Sequence, residues 1–248
     1  TDKSKFTATV TLPDTEAKQL RGYLAVYATD TYKNNSEKIT DDENVIVVDT
    51  IAPEVSVEYS KASRTVGDKA YYNGNVEVTI TVDEANFYAS DVEVKTTKNN
   101  GTATAVTPEW SVDQNNGDIH YGKFTLTDDG HYIVSVKYED KSDNFDENKS
   151  AYTSHEITID TVKPVIDVDY QNEKVINTLK DSESKDRQYY DDTQTAVVTI
   201  TEHNFDAEEV EFTILAKDVT GADLAVDALH TKSEWSVDST GDVHKITI

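Results

Sequence analysis

The chain has 248 residues, and its 48 acidic and 23 basic residues give a formal net charge of −25. Such a composition offers no basic patch that could neutralise phosphates, so nucleic acid and an anionic membrane surface are poor partners. Cysteine is absent, which excludes a disulfide framework, a thiol nucleophile and a zinc site with cysteine ligands.

The first 50 residues are similar to a segment further along the chain. "GYLAVYATDTYKNN", from Gly22, aligns with "HYIVSVKYEDKSDN", from His131, with a one-residue slip. The triplet "VDT" closes the first segment as "IDT" closes the second. We therefore predict that residues 1–50 are the C-terminal part of a repeated module.

Residues 51–161 are predicted to form one complete module of about 110 residues, a length typical of a sandwich domain. The linker "VDTIAPEVSV", from Val48, recurs as "IDTVKPVIDV", from Ile159, and "EWSVD" also occurs twice. Apolar and polar residues alternate within the module, as expected of strands with one face in a core. The candidate strands lie near residues 54–59, 76–82, 91–97, 104–112, 119–127, 131–139 and 152–159.

Residues 162–248 repeat the same order of motifs, and we expect them to be a further module that lacks its last strands. "YYNGNVEVTITVDEANF", from Tyr71, returns here as "YYDDTQTAVVTITEHNF", from Tyr189.

Seven short strands separated by turn signals such as Asn73-Gly74 indicate an all-β chain of tandem immunoglobulin-like β-sandwich modules. A barrel is the alternative. The alternation predicts a core that includes Val78, Ile80, Val94, Tyr132, Val134 and Val136.

The segment "DDGHY" carries the D-x-G-x-Y pattern of immunoglobulin folds, in which the tyrosine hydroxyl bonds back to nearby backbone. Here the pattern falls on Asp128, Gly130 and Tyr132. Together with the "DTxxP" linkers and the "YY…ITI.E.NF" stretch, it resembles the cysteine-free, tandem bacterial Ig-like domains of Gram-positive, gut-type cell-surface and adhesin proteins. The resemblance covers the whole chain and implies a stalk or adhesin, but no fixed ligand.

Patterns of catalytic residues are missing from the sequence. The six histidines show no metal-binding spacing, and neither a G-x-S-x-G motif nor a phosphate-binding glycine loop occurs. His120 and His244 occupy the same repeat position on an alternating strand, which favours an ordinary packed or exposed histidine. We therefore expect no enzyme activity.

Aromatic residues recur at matching positions of the repeat. If they are exposed, they would form a patch that binds a glycan or a host protein. The competing interpretation is that they pack the core, because shared spacing reports a shared fold as readily as shared binding. The residues concerned are Tyr71, Tyr72, Trp110, Tyr189, Tyr190 and Trp235.

Acidic residues recur at the predicted ends of modules. Asp30 and Asp140 begin similar loops, and Asp49 and Asp160 lie in the two linkers. A loop carboxylate, a linker carboxylate and backbone oxygens are ligands that calcium accepts, so these residues are candidate calcium ligands at module junctions. The competing interpretation is a solvated turn in which Asp and Asn satisfy the turn geometry. No other cofactor is expected.

Three hypotheses for the function remain open. The first is a non-catalytic repeat region of a bacterial cell-surface protein, acting as a stalk, an adhesive module or both, with neighbouring modules of the same chain as partners. In the second, the modules themselves bind a host protein, for example an immunoglobulin, or a glycan. The third is an accessory role in a secreted glycosidase. No apolar stretch could span a bilayer and no signal peptide opens the chain, so we expect an internal part of an extracellular protein that is attached to the cell wall or secreted.

Overall fold

The computed structural model describes residues 5–11, 19–171, 175–213, 215–218, 220–223 and 233–248. The chain divides into two compact units, Thr1–Thr161 and Val162–Ile248. Both units are built from β-strands and short 3-10 turns, and the described residues contain no α-helix. Consequently none of them belongs to a helix long and apolar enough to cross a membrane.

The first unit begins with two short pairs of antiparallel strands. Strands β1 (Gln19–Gly22) and β4 (Ile46–Asp49) pair, with Gln19 opposite Asp49. Strands β2 (Ala25–Val26) and β3 (Ile39–Thr40) form the other pair. Asp49, the last residue of β4, therefore lies just before β5, which begins at Glu54.

Eleven further strands make up the rest of the first unit, with a 3-10 turn at Ala89–Asp91. They are β5 (Glu54–Tyr59), β6 (Arg64–Val66), β7 (Lys69–Tyr72), β8 (Val76–Asp83), β9 (Val92–Lys98), β10 (Thr104–Ala105), β11 (Glu109–Val112), β12 (Ile119–Leu126), β13 (Gly130–Tyr138), β14 (Ala151–Thr153) and β15 (Ile157–Ile159).

These eleven strands form two sheets. One has four strands in the order β11-β12-β8-β5, all antiparallel. The other has seven, in the order β10-β9-β13-β15-β7-β6, with β14 also paired to β13. The pair β15 and β7 is parallel, with Ile157 opposite Ala70 and Ile159 opposite Tyr72. The remaining pairs in this sheet are antiparallel.

One hydrophobic cluster joins the two sheets into a β-sandwich. On β8, Val76, Val78, Ile80 and Val82 are fully buried, and they alternate with more exposed polar residues. The facing sheet contributes buried side chains from β13, and all of these residues belong to the same cluster. The six core residues predicted from the alternation, Val78, Ile80, Val94, Tyr132, Val134 and Val136, are all buried, which confirms them.

The tyrosine pattern is confirmed as well, because Tyr132 Oη donates a 2.8 Å hydrogen bond to Asp128 O. Two predicted strands are each divided. Residues 104–112 give β10 in one sheet and β11 in the other, with buried Pro108 between them. Residues 152–159 give β14 and β15, separated at Ser154. The strands β6 and β7 were missed.

The second unit contains six described strands and a 3-10 turn at Ala207–Glu209. The strands are β16 (Val165–Tyr170), β17 (Asn177–Lys180), β18 (Asp186–Tyr189), β19 (Ala196–Thr201), β20 (Ser236–Val237) and β21 (Val243–Thr247). A four-stranded sheet has the order β16-β19-β21-β20, and β17 pairs with β18. Val198, Ile200 and Ile246 form its buried cluster.

We expect Val134→Ala to lower the free energy of unfolding of the first unit by about 1 to 3 kcal/mol, because Val134 is fully buried between the sheets. Denaturant unfolding followed by circular dichroism measures the change. Val112→Ala is the matched control, since Val112 is 54% exposed and surface changes stay within about 0.5 kcal/mol. Equal effects of the two substitutions would contradict the assignment of the core.

Candidate metal centre

Three carboxylates meet where strands from different parts of the first unit end. Asp49 is the last residue of β4, Glu84 follows β8 directly, and Asp140 follows β13 by two residues. A ligand oxygen from each lies within 4.8 Å of the others. All three residues are buried, with 8%, 2% and 4% of their surface exposed, respectively. We call this cluster the carboxylate triad.

Glu84 is held by one of its two oxygens. Glu84 Oε1 accepts a 2.6 Å hydrogen bond from Asn86 N and a 3.1 Å bond from Gln19 Nε2. Glu84 Oε2 is buried and has no hydrogen-bond partner among the described residues. A buried carboxylate oxygen without a donor is costly, because it has lost its water and gained nothing in return.

Neutral groups hold the two aspartates. Asp49 accepts hydrogen bonds from Ile51 N at 3.1 Å and from Asn86 Nδ2 at 2.8 Å. Asp140 accepts from Ser142 N and from the backbone and side-chain nitrogens of Asn144, at 2.8 to 2.9 Å. Asn144 Nδ2 also donates to Asp49 O at 3.2 Å. These amides orient the carboxylates but bring no positive charge.

The electrostatics of the triad are unfavourable without a proton or a cation. Burial, followed by the negative charges of Asp49 and Asp140, raises the pKa of the Glu84 carboxyl to about 7, although the Asn86 N–H bond acts in the opposite direction. No Lys, Arg or His in the described part of the chain forms a salt bridge with any of the three carboxylates. The cluster can be relieved by a proton on Glu84 or by a bound cation.

The structure brings together two of the four predicted calcium ligands, Asp49 and Asp140. Asp30 is exposed instead, and its carboxylate accepts hydrogen bonds from Tyr32 N, Asn34 N and Asn34 Nδ2 in its own loop. These bonds to Asn34 lower the pKa of Asp30. Asp160 is half-buried, and its backbone N–H donates to Tyr72 O. Neither residue belongs to the triad.

Sequence reasoning missed Glu84. It stands in the repeated stretch "ITVDEANF", and Glu202 has the same place in "VTITEHNF". Glu202 Oε1 accepts a 2.8 Å bond from Asn204 N, as Glu84 Oε1 does from Asn86 N. The repeated Glu-x-Asn-Phe spacing was therefore a usable signal for a glutamate in a fixed turn.

Three of the recurring aromatic residues, Tyr72, Trp110 and Trp235, pack in the hydrophobic clusters of their units. Tyr72 is buried and donates to Ser60 O, so it cannot join an exposed patch. Tyr71, Trp110, Tyr190 and Trp235 are half-buried, and Tyr189 is 47% exposed. A Cβ at Gly122 would lie 2.8 Å from the Trp110 ring, which shows that this indole lies flat against β12.

The two units share one arrangement of aromatic rings. In the first, the Phe87 ring lies 4.9 Å from Trp110 and is stacked on His120 at 4.1 Å. In the second, Phe205 lies 4.9 Å from Trp235 and is stacked on His244 at 3.9 Å. Burial lowers the pKa of His120, which favours the neutral ring in this packing.

A comparison of the chain with models of known protein families finds no match, and a comparison with curated proteins finds no similar sequence. Support for a function therefore comes from the chain's own sequence and geometry.

The triad predicts a dependence of stability on pH when a chelator removes metal ions. An unfolded glutamate loses its proton near its ordinary pKa of 4.5, but native Glu84 keeps it to about pH 7. Between these values the native state binds more protons, so its stability falls as pH rises. We expect Glu84 to account for a loss of about 1 to 3 kcal/mol across this range.

Urea unfolding in EDTA at about pH 5 and about pH 8 measures this effect. Glu84→Gln is the comparison, because a neutral amide of similar shape removes the titration. The expected result is a smaller loss of stability in the variant. The same pH dependence in both proteins would show that Glu84 does not hold the proton.

Proposed function

We propose that this chain is a non-catalytic part of a bacterial cell-surface protein, in which tandem Ig-like modules form a load-bearing stalk. The modules are residues 1–50, 51–161 and 162–248, the first and last being partial. The observation that carries the proposal is the parallel pairing of β7 with β15. We propose the extracellular location from the resemblance of the sequence to bacterial cell-surface proteins.

The order of strands supports the Ig-like assignment of residues 51–161. Immunoglobulin-like domains have one sheet of four antiparallel strands and a second that contains the closing strand next to the strand carrying the tyrosine. Here the first corresponds to β11-β12-β8-β5, and the second places β15 next to β13, which carries Tyr132. The parallel strand β7 lies on the other side of β15, and β6 follows it at the edge of the sheet.

Recurrence in the second unit supports a shared module. The order β20-β21-β19-β16 matches β11-β12-β8-β5. The register also matches, since His120 is opposite Val82 and His244 is opposite Ile200. Chains of like modules with nearest-neighbour contacts are a common way to build an extended protein.

The β7–β15 pair explains how such a module could resist tension. In a stretched chain, β5 and β6 lie between the N-terminal point of pull and β7, so the pull reaches the β7–β15 pair once these two strands have come away. Because the strands are parallel, this pull loads their hydrogen bonds together rather than one at a time. Ala70 N donates to Glu156 O at 3.4 Å, and Asp160 N donates to Tyr72 O at 2.9 Å, one bond at each end of the pair.

The aromatic residues give the ligand-binding alternative less support. Tyr72 is buried, Trp110 and Trp235 pack against the hydrophobic clusters, and Tyr71 and Tyr190 are half-buried. A high net negative charge instead suits a protein that must avoid association with its own copies. The stalk is therefore the function that the geometry supports best.

Single-molecule force measurements on the full chain, pulled from its two ends, test the load-bearing role. We expect the strongest unfolding event to belong to the first unit. Ala70→Pro should lower its force, because proline removes the donor to Glu156 O and costs about 1 to 3 kcal/mol.

The matched control is Ala105→Pro in the edge strand β10, outside the β7–β15 pair, where the next residue, Val106, donates to Val94 O. We expect this substitution to leave the force nearly unchanged. Unfolding of the unsubstituted chain without a strong event would contradict the load-bearing proposal.

A further inference from the structure

We propose that Asp49, Glu84 and Asp140 bind one calcium ion, which fastens the segment that ends at Asp49 to the β-sandwich formed by β5 to β15. The site lies wholly in the first unit. It therefore stands whether or not the chain is a surface stalk.

The strongest sign of a ligand is the free oxygen of Glu84. Glu84 is 2% exposed, and its Oε2 has no hydrogen-bond partner among the described residues. Two other buried carboxylates each have an oxygen within 4.8 Å of a Glu84 carboxylate oxygen, and the donors to this cluster are neutral amides. A buried carboxylate with two negative neighbours and one oxygen without a donor is placed as a metal ligand would be.

The ligand set of the triad fits calcium better than magnesium or zinc. Three carboxylate oxygens within 4.8 Å of one another can share one calcium ion at its usual oxygen distances of about 2.3 to 2.6 Å. Magnesium gives up its water reluctantly and is usually held by only one or two carboxylates, so a buried set of three suits it less well. An all-oxygen set without His or Cys does not suit structural zinc.

The elements that supply the ligands give the ion its structural effect. Asp49 belongs to β4, which pairs with β1, while Glu84 and Asp140 come from the two sheets of the sandwich. Hydrogen bonds of Asn86 and Asn144 to Asp49 and of Gln19 to Glu84 already join these parts. Calcium adds direct bonds from three separate parts of the chain to one centre.

Isothermal titration of the full chain with CaCl₂ after removal of metals tests the site, with MgCl₂ as the competing ion. We expect tighter binding of calcium than of magnesium, with a Kd of roughly 10⁻⁵ to 10⁻³ M, as in weaker calcium sites. Calcium at about 100 times Kd should then raise the midpoint of thermal unfolding of the first unit.

Glu84→Gln should lower calcium affinity at least about tenfold, because it removes one charged ligand. The control is Glu77→Gln, the same chemical change at an exposed position of the same strand, β8, which should bind like the unsubstituted chain. If Glu84→Gln fails to fold, Asp49→Asn gives the same readout, since it leaves the strands of the sandwich intact.

Limited proteolysis reports whether the ion fastens the preceding segment. Calcium should slow cleavage by trypsin at Arg21 and Lys38 in the unsubstituted chain and in Glu77→Gln, but not in Glu84→Gln. The proposal is overturned if the folded chain binds no calcium, if magnesium binds equally well, or if Glu84→Gln keeps full affinity. The force experiment tests the load-bearing role and the calcium titration tests the metal site, so failure of one does not decide the other.

Discussion

The buried face of β8 is the constraint on which the rest of the first unit depends. Val76, Val78, Ile80 and Val82 are fully excluded from water, and β8 pairs with β5 on one side and β12 on the other. A slip of one residue would turn all four valine and isoleucine side chains toward solvent, so the register is strongly specified. The same register fixes the turn at the end of the strand, and this turn carries Glu84, Asn86 and Phe87.

That turn connects the apolar core to the polar end of the sandwich. Phe87 packs on the hydrophobic cluster and against Trp110, while Asn86 holds both Glu84 and Asp49 through hydrogen bonds. The carboxylates are therefore positioned by the core and cannot move apart freely to lower their repulsion. Burial of like charges is tolerated in proteins where something else offsets it, and the amides at this site offset it only in part.

The alternation of apolar residues allowed the strands of the core to be predicted, because it is a local property of the sequence. The divided strands needed tertiary information. Pro108 cannot donate to a ladder, and the chain changes sheets there; at Ser154 the hydroxyl accepts from Val134 N in place of a backbone carbonyl. Strands β6 and β7 were missed because they have only three and four residues, too few to show an alternating pattern. Glu84 was missed because a glutamate after a strand is ordinary in a chain with 48 acidic residues. Only the fold shows that Asp49 at the end of β4 and Asp140 after β13 lie beside it.

The position of Asp49 shows that the contacts of the sandwich extend beyond the point at which the sequence motif begins again. A boundary drawn at Ile51, where the sequence motif begins again, assigns Asp49 to one copy and its bonding partners Asn86 and Asn144 to the next. At this position the repeat in sequence and the contacts are therefore out of phase by two residues. An excised domain beginning at residue 51 would carry Glu84 and Asp140 without the carboxylate that completes the triad, and Asn86 and Asn144 would lose the bonds that they donate to Asp49.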